Sequence, residues 1–282
     1  ALSRFRARLD DGGRILAWHN QIASPSVGQA VLGRAFPKLP LGGPDRTNAE
    51  GAAFLSYATP HRLVEHTAVE SPVPIGFWRS VGHSFNAFFT ECFMDELAAA
   101  AGADPIDFRL SHLENHPRET RVLELLRDSV GWRAAPAAGR ARGVALHESF
   151  GSIVGQMAEV SIDKGQIRVH RVVCVIDCGR VVNPDIVIAQ MEGGIVFGLT
   201  AALYGEVRVE GGRIMQWNFP DYRMLSLKEM PRIETYVIES GAEPGGVGEP
   251  GTPPIAPAVA NAVSILTAKR INSLPIRVSA AS

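Results

Sequence analysis

The sequence predicts an α+β fold, in which mixed and antiparallel sheets pack against separate helices. Two observations lead to this prediction. Segments typical of strands occur in pairs joined by tight glycine-containing turns, as in hairpins. Other segments carry apolar residues at helical spacing and stand apart from those pairs. This arrangement favours α+β layering over a doubly wound parallel sheet, which would need strands and helices in regular alternation.

The N-terminal part is predicted to contain a hairpin and then a long loop. The stretch "SRFRARLDDGGRILAWHN" has the pattern of a strand, an Asp-Gly-Gly turn and a second strand. Residues from about 21 to 75 are rich in Gly, Pro and Ser, which predicts a long loop with short strands. Because such a loop is unusual inside a compact domain, we expect it to wrap a partner or another part of the same protein.

Three helices are predicted next. Ser84 is the expected N-cap of the first, whose apolar residues keep helical spacing until Gly102. Asp104 and Pro105 supply a cap and a first-turn proline for the second helix, which is expected to reach about Asn115. The stretch "RETRVLELLRDSV" predicts the third.

The segment "APAAGRARG" is the predicted domain boundary. It separates a hairpin, loop and helical subdomain (1–140) from an α+β subdomain (141–282). The second subdomain is predicted to contain a hairpin turning at Lys164-Gly165, a helix capped by Asn183-Pro184, a second hairpin made by "YGEVRV" and "RIMQWNF", a strand "RIETYVIES" and a last helix over about 256–272.

Composition excludes several classes of protein. With 28 basic and 29 acidic residues the net charge is −1, so no field of one sign would attract nucleic acid or an anionic membrane. Three cysteines are too few for a disulfide framework. No run of eighteen apolar residues is present, so no membrane span is predicted. The Gly194/Gly198 pair in the longest apolar segment indicates close helix packing.

Glu249 is the first candidate for chemistry. It lies in "GGVGEPGTPP", where the following proline favours an extended backbone and the glycines allow a ligand to come close. A helix follows, so the loop is expected at the end of an element, facing a cleft. A partly desolvated carboxylate there would suit general-base catalysis. Spacing alone favours the other interpretation, an exposed acid in a turn.

Three further groups of residues are candidates for binding. Gln190, in an otherwise apolar helix, needs partners that either a polar cofactor or the neighbouring backbone could provide. The stretch around Arg79, Gly82 and His83 precedes a predicted helix start, where an anion could bind; His83 alone fits a structural histidine. His112 and His116 are spaced i, i+4 as in helical zinc pairs, which leaves an unrelated metal-binding protein as a distant alternative.

Four stretches in one order carry a family resemblance over nearly the whole chain. They are "GFWRSVGHSFNAFFTECFMDELAAAAGADPIDFRL", "VIDCGRVVNPDIVIAQMEGGIVFGL", "NFPDYRML" and "GGVGEPGTPPIAPAVANAV". Together they resemble the C-terminal part of the large, molybdopterin-binding subunit of xanthine oxidase family molybdenum hydroxylases, in the branch that contains the isoquinoline 1-oxidoreductase large chains. The resemblance implies the molybdenum-cofactor-binding α+β fold of that family.

The resemblance also implies site residues. The family's catalytic base, a glutamate in a V-G-E-P loop, falls on Glu249, and the loop residues before it, Gly246, Val247 and Gly248, are expected to contact the cofactor. The amide of the family's Q-x-E-G helix, which hydrogen-bonds the cofactor, falls on Gln190. The family's arginine-glycine stretch falls on Arg79, Ser80, Val81 and Gly82. Relatives read R-G-x-G there, so Ser80 departs from the pattern and puts the role of Arg79 in doubt.

The implied activity is hydroxylation of an N-heteroaromatic compound, or oxidation of an aldehyde, with oxygen derived from water. The implied cofactor is molybdenum-bearing molybdopterin, expected in its cytosine dinucleotide form. The implied partners are the N-terminal rest of the large subunit, a small [2Fe-2S] subunit and a cytochrome acceptor, in a bacterial cytoplasm or periplasm. Because the family's G-G-F-G and G-Q-G loops are missing, we expect this chain alone to hold an incomplete cofactor site and to be inactive. A catalytically inactive scaffold of the same fold is the alternative.

Overall fold

A computed structural model describes residues 1–38 and 45–278 of the chain. These residues form two compact units, Ala1–Thr120 and Arg121–Ser282. The contacts thus divide the chain inside a helix, upstream of the boundary that the sequence predicts near residue 140. The reason is that the later part of this helix packs on the sheet of the second unit, as described below.

The first unit contains a three-stranded sheet. Strands β1 (Leu2–Leu9) and β2 (Ile15–Ser24) form the predicted antiparallel hairpin, and β3 (His61–Ala68) pairs with β2 in parallel. The strand order is β1-β2-β3. One face of β2 is buried through Trp18, Asn20 and Ile22.

The segment predicted as a long loop, residues 21–75, contains more regular structure than expected. Besides β3 it holds helix α1 (Val27–Ala35) and a 3-10 turn over Arg46–Asn48. Helix α1 is capped by Ser26, whose Oγ accepts a hydrogen bond from Gln29 N at 3.1 Å. No residue of α1 is buried. Residues 39–44 of this segment lie outside the described residues.

Helices α2 (Val81–Ala100), α3 (Pro105–Ser111) and α4 (Pro117–Val130) correspond to the three predicted helices. The prediction of Ser84 as the first N-cap is wrong, because α2 begins at Val81 and the Ser84 hydroxyl donates to Val81 O at 2.8 Å. Asp104 caps α3 as predicted, accepting from two backbone N–H groups. Helix α3 ends at Ser111, earlier than expected.

The second unit is built on a four-stranded sheet. Its strands are β4 (Arg140–Ser149), β5 (Ser152–Asp163), β6 (Gln166–Asp177) and β9 (Arg232–Ile238). Between β6 and β9 in the chain, the two-residue strands β7 (Val209–Glu210) and β8 (Arg213–Ile214) form a separate hairpin. The order is β4-β5-β6-β9. Pairing is antiparallel except between β6 and β9, which are parallel. Both predicted hairpins are therefore present, the second much shorter than expected.

Helices cover both faces of this sheet. Gly143 on β4 lies against Ala258 and Asn261 of α6 (Ile255–Thr267), where a Cβ would collide with the helix backbone. Gly155 on β5 lies against Val122 and Leu126 of α4. Gly155 pairs with Leu146, three residues along β4 from Gly143, so the two glycines point to opposite faces. The mixed, helix-covered sheet confirms the predicted α+β class.

Helix α5 (Pro184–Leu203) begins at Asn183 as predicted, with the Asn183 side chain accepting from Ile186 N at 3.2 Å. Gly194 and Gly198 bring its backbone against Gly251, Thr252 and Ile255, which confirms the predicted close packing. Within the described residues, α5 is the one helix long and apolar enough to cross a membrane by length and composition alone. In this structure it packs against α6 and β9, and half of its apolar stretch is buried.

Candidate active site

The segment between β9 and α6, residues 239–254, forms the candidate site and is here called the Glu249 loop. It is held from two sides. Gly245 N donates to Cys178 O at 2.9 Å, just past the end of β6, and Gly246 N donates to Phe150 O at 2.8 Å in the β4–β5 turn. The Ser152 hydroxyl donates to Gly246 O at 2.6 Å. The loop is therefore fixed at one end of the sheet by two other segments, the residue after β6 and the β4–β5 turn.

Gly245 is the glycine of the loop whose missing side chain is needed for packing. A Cβ on Gly245 would lie 2.5 Å from Ser152 Oγ and 2.6 Å from the Gly151 carbonyl. Gly248 differs, since a Cβ there would meet only Gln190 Oε1, at 3.9 Å. Gly246 and Gly248 are exposed. The glycines thus serve two purposes: Gly245 lets the loop lie against the β4–β5 turn, and Gly246 and Gly248 leave backbone exposed at the surface.

Glu249 stands where the loop passes from surface to core. Gly248 before it is exposed, Glu249 itself is half-buried, and Pro250 to Thr252 are buried. Thr252 N donates to Glu249 O at 3.0 Å and closes a turn around the proline. The main chain of Glu249 is therefore held by buried neighbours, while the residue as a whole is partly exposed.

Helix α5 brings Gln190 to this loop. Gln190 is half-buried, and its Oε1 lies 3.9 Å from the position that a Cβ added to Gly248 would take. The next residue, Met191, lies against Gly251. A Cβ added to Gly251 would be 3.1 Å from the Met191 carbonyl oxygen and 3.3 Å from the Met191 sulfur. Two of the predicted site residues, Gln190 and Glu249, are thus held on adjacent backbone segments although 59 positions separate them in the printed sequence.

Two buried polar residues under the loop were not among the predicted site residues. Asp177, at the end of β6, accepts from Gly179 N at 2.9 Å and from the Ser240 hydroxyl at 2.7 Å, and so closes the turn into α5. Gln156 on β5 donates from Nε2 to Gly251 O at 2.9 Å. The signal that could have found Gln156 is a single amide side chain within the short apolar stretch "IVGQMA" of this strand.

The predicted residues Arg79 to Gly82 lie in the first unit. Ser80 is fully buried and has a left-handed backbone conformation, with a φ angle of 72°, and the φ angle of Val81 is 45°. A left-handed β-branched residue is strained. A Cβ on Gly82 would collide with Thr47 O, so only glycine fits there. Since α2 begins at Val81, Gly82 belongs to the first helical turn rather than to the segment before it.

His83 and His112 both behave as structural histidines. Burial lowers the pKa of His83 to about 4, so its ring is neutral at pH 7. His112 Nε2 accepts from Ile15 N at 3.0 Å, and its Nδ1 therefore donates to Phe108 O at 2.7 Å. Both nitrogens of His112 are occupied. No group of three or more His, Cys, Asp or Glu among residues 1–38 and 45–278 could hold a metal, which argues against the zinc alternative.

Comparison with known proteins relates both units to one family. Residues 132–231 match the model of the molybdopterin cofactor-binding domain. The chain is 33% identical over 278 residues to the beta chain of isoquinoline 1-oxidoreductase of Brevundimonas diminuta, covering 96% of this chain and 35% of that protein. It is 30% identical over 295 residues to a nicotinate dehydrogenase subunit of Pseudomonas putida, covering 95% and 24%.

Solved structures agree with the fold. Quinoline 2-oxidoreductase from Pseudomonas putida 86 superposes with a TM-score of 0.78 at 16% identity, covering 97% of this chain and 60% of that chain. Aldehyde oxidoreductase from Desulfovibrio gigas gives 0.74 at 14% identity, covering 97% and 47%. At these identities the likeness concerns the fold. The chain spans about a third of the length of the first curated relative it matches.

Proposed function

The chain belongs to the xanthine oxidase family of molybdopterin-binding subunits, and from this premise we propose that it supplies the catalytic base of a molybdenum-dependent oxidoreductase. The proposed reactions are hydroxylation of an N-heteroaromatic compound and oxidation of an aldehyde, both with water-derived oxygen. The observation that carries the proposal is the position of Glu249: a half-buried acid on an ordered loop, directly after Gly248, which lies near the side-chain oxygen of Gln190.

The residues present fit a molybdopterin cofactor. Exposed backbone at Gly246 and Gly248 can approach a polar ligand closely, because glycine has no side chain to shield it. The Gln190 amide, next to Gly248, offers both a donor and an acceptor. We propose that Gln190 and residues 246–248 hold the cofactor from this side, in its cytosine dinucleotide form. When bound, the cofactor supplies the redox centre that takes two electrons from the substrate.

In the first unit, the proposed cofactor contacts are Arg79, Ser80, Val81 and Gly82. The support is conformational. Two consecutive non-glycine residues with positive φ, at Ser80 and Val81, store strain of the kind that clusters at ligand-binding sites. Because Ser80 is fully buried, its backbone is held in place by the surrounding structure and its side chain does not face bulk water.

Glu249 has the role of general base in this proposal. One of its carboxylate oxygens accepts the proton of the water-derived oxygen nucleophile, which raises the electron density available for attack on an electron-poor carbon. The main chain contributes order. The turn closed by Thr252 N and the buried Pro250 limit the positions that the carboxylate can reach.

The electrons require partners. A [2Fe-2S] cluster needs four protein ligands, usually cysteines, whereas this chain has three cysteines in all. Of these, Cys174 and Cys178 are buried. We therefore propose a small [2Fe-2S] subunit as electron acceptor, a cytochrome acceptor beyond it, and the remainder of the large subunit as the part that completes the cofactor site.

The experiment is Glu249→Gln in the complete enzyme, with Glu243→Gln as matched control. Glu243 lies on the same loop, and its side chain is 93% exposed. Removing a general base should lower turnover by about 10²–10⁴-fold while molybdenum and pterin content stay unchanged. Glu243→Gln should keep wild-type turnover. Unchanged turnover in Glu249→Gln would remove Glu249 from the mechanism; absence of turnover in the wild type, with either substrate class, would favour an inactive scaffold.

A further inference from the structure

Gln156 is a buried amide that the proposed mechanism does not use. It lies on β5, paired with Ala145 on β4 and Cys174 on β6, and is 0% exposed. Nε2 donates to Gly251 O at 2.9 Å. Oε1 has no hydrogen-bond partner within the described residues. Glutamine thus satisfies the buried carbonyl of Gly251, which an apolar side chain would leave without this donor, and keeps its own Oε1 unsatisfied.

The peptide unit between Gly251 and Thr252 is held at both of its polar groups. Gln156 holds its carbonyl oxygen, and its N–H donates to Glu249 O at 3.0 Å. The C=O and N–H of one trans peptide lie in a single plane and point in opposite directions. The direction in which Gln156 holds the carbonyl therefore sets the direction of the N–H that binds the main chain of Glu249.

The remaining contacts of this peptide are weaker guides. The Thr252 hydroxyl donates to Gly194 O at 3.3 Å, near the limit for a hydrogen bond. Gly251 has no side chain of its own to lock its conformation. Among the described residues, the amide of Gln156 is the side chain that donates to the Gly251 carbonyl.

We propose that Gln156 is a positioning residue: by holding the carbonyl of Gly251 it orients the Gly251–Thr252 peptide and so places Glu249. The inference rests on the proposed function of Glu249 as base. Gln156 acts through the buried main chain of Gly251 and Thr252 and does not itself contact substrate or cofactor.

The test uses Gln156→Met in the complete enzyme. Methionine fills a similar volume without an N–H donor. The control is Gln166→Met, an exposed glutamine at the far end of the β5–β6 hairpin. Hydrogen exchange measured by mass spectrometry should show at least about tenfold faster exchange at Thr252 in Gln156→Met and no change in Gln166→Met. The kcat should fall at least about tenfold, KM should stay within about threefold, and the pH dependence of kcat should shift because the carboxylate is displaced.

A second variant keeps the test decisive if Gln156→Met does not fold. In the Gln156→Glu variant the introduced carboxylic acid, buried and neutral, can donate its O–H to the same carbonyl. Activity should then be partly retained at low pH and lost as the pH rises through the pKa of that acid. A variant that folds, keeps wild-type exchange at Thr252 and keeps wild-type kcat would overturn the inference.

The two proposals fail separately. If Glu249→Gln abolishes turnover and Gln156→Met changes neither exchange nor kcat, only the role of Gln156 is lost. If Gln156→Met speeds exchange at Thr252 while Glu249→Gln keeps full turnover, Gln156 holds the loop but the base is elsewhere, and the positioning role in catalysis is overturned together with the proposed function.

Discussion

Gly198→Ala should disturb the contact between α5 and the Glu249 loop. A Cβ at this position would lie 2.6 Å from Ile255 Cγ2 and 2.8 Å from Thr252 O. Ordinary carbon contacts are about 3.5–4.0 Å, so the added methyl group is roughly 1 Å too close. Thr252 O is a backbone atom and Ile255 is fully buried, so neither can move away by a side-chain rotation into solvent.

The cost follows from overpacking. Inserting a methyl group into a well-packed core costs about 1–3 kcal/mol. Alanine in a helix interior recovers about 0.5–1 kcal/mol relative to glycine. We therefore expect Gly198→Ala to lower the free energy of unfolding by about 1–2 kcal/mol. Gly193, on the same helix and exposed, has nothing within 4 Å of an added Cβ. Gly193→Ala should accordingly raise the free energy of unfolding by about 0.5–1 kcal/mol.

Urea unfolding of the two variants, compared with the wild type, measures whether the free energy of unfolding falls in Gly198→Ala and rises in Gly193→Ala. The matched pair shares the helix, the substitution and the change in propensity, and differs only in the space available for the methyl group. A Gly198→Ala variant as stable as Gly193→Ala would refute the reasoning, since it would mean that α5 and the loop are not in the close contact described.

Three further predictions concern the first unit and the chain as a whole. Arg109 is fully buried and donates to Glu91 Oε2 at 2.9 Å, so Arg109→Met should lower the free energy of unfolding by about 3–5 kcal/mol. The double variant Arg109→Met/Glu91→Leu should lose less stability than the sum of the losses in Arg109→Met and Glu91→Leu, and denaturant titration of all three variants measures this coupling. Because the folded-state pKa of His83 is lowered from 6.5 to about 4, its contribution to stability is present above pH 6.5 and is lost as the pH falls toward 4; His83→Gln should flatten the pH dependence of the unfolding free energy in that window. The purified 282-residue chain should bind no stoichiometric molybdenum and show no dye-coupled oxidation, and metal analysis with turnover would contradict this.

Local signals in the sequence determined most elements. Asn183 and Asp104 cap their helices because the N-cap hydrogen bond joins residues two or three positions apart. The Lys164-Gly165 turn likewise joins adjacent strands. The start of α2 was misplaced because it depends on a left-handed backbone at Ser80, which no local pattern announces. Strand β3 pairs with β2 from a distant part of the chain, so its neighbour could not be inferred from its own residues.

The sequence by itself determined the fold class, the family and the identity of Glu249 and Gln190 as candidate residues, because the order of motifs and the local spacing of residues can be read directly from the chain. Only the tertiary structure decided that these two residues lie on adjacent segments and that Gln156 contacts the same loop. The bond from Gln156 to Gly251 spans 95 positions, and the contact between α5 and the loop depends on Gly198, where an added Cβ would lie 2.8 Å from Thr252 O. Such contacts arise from close packing between distant segments, where the partner of each group is chosen by the fold rather than by its neighbours in the chain.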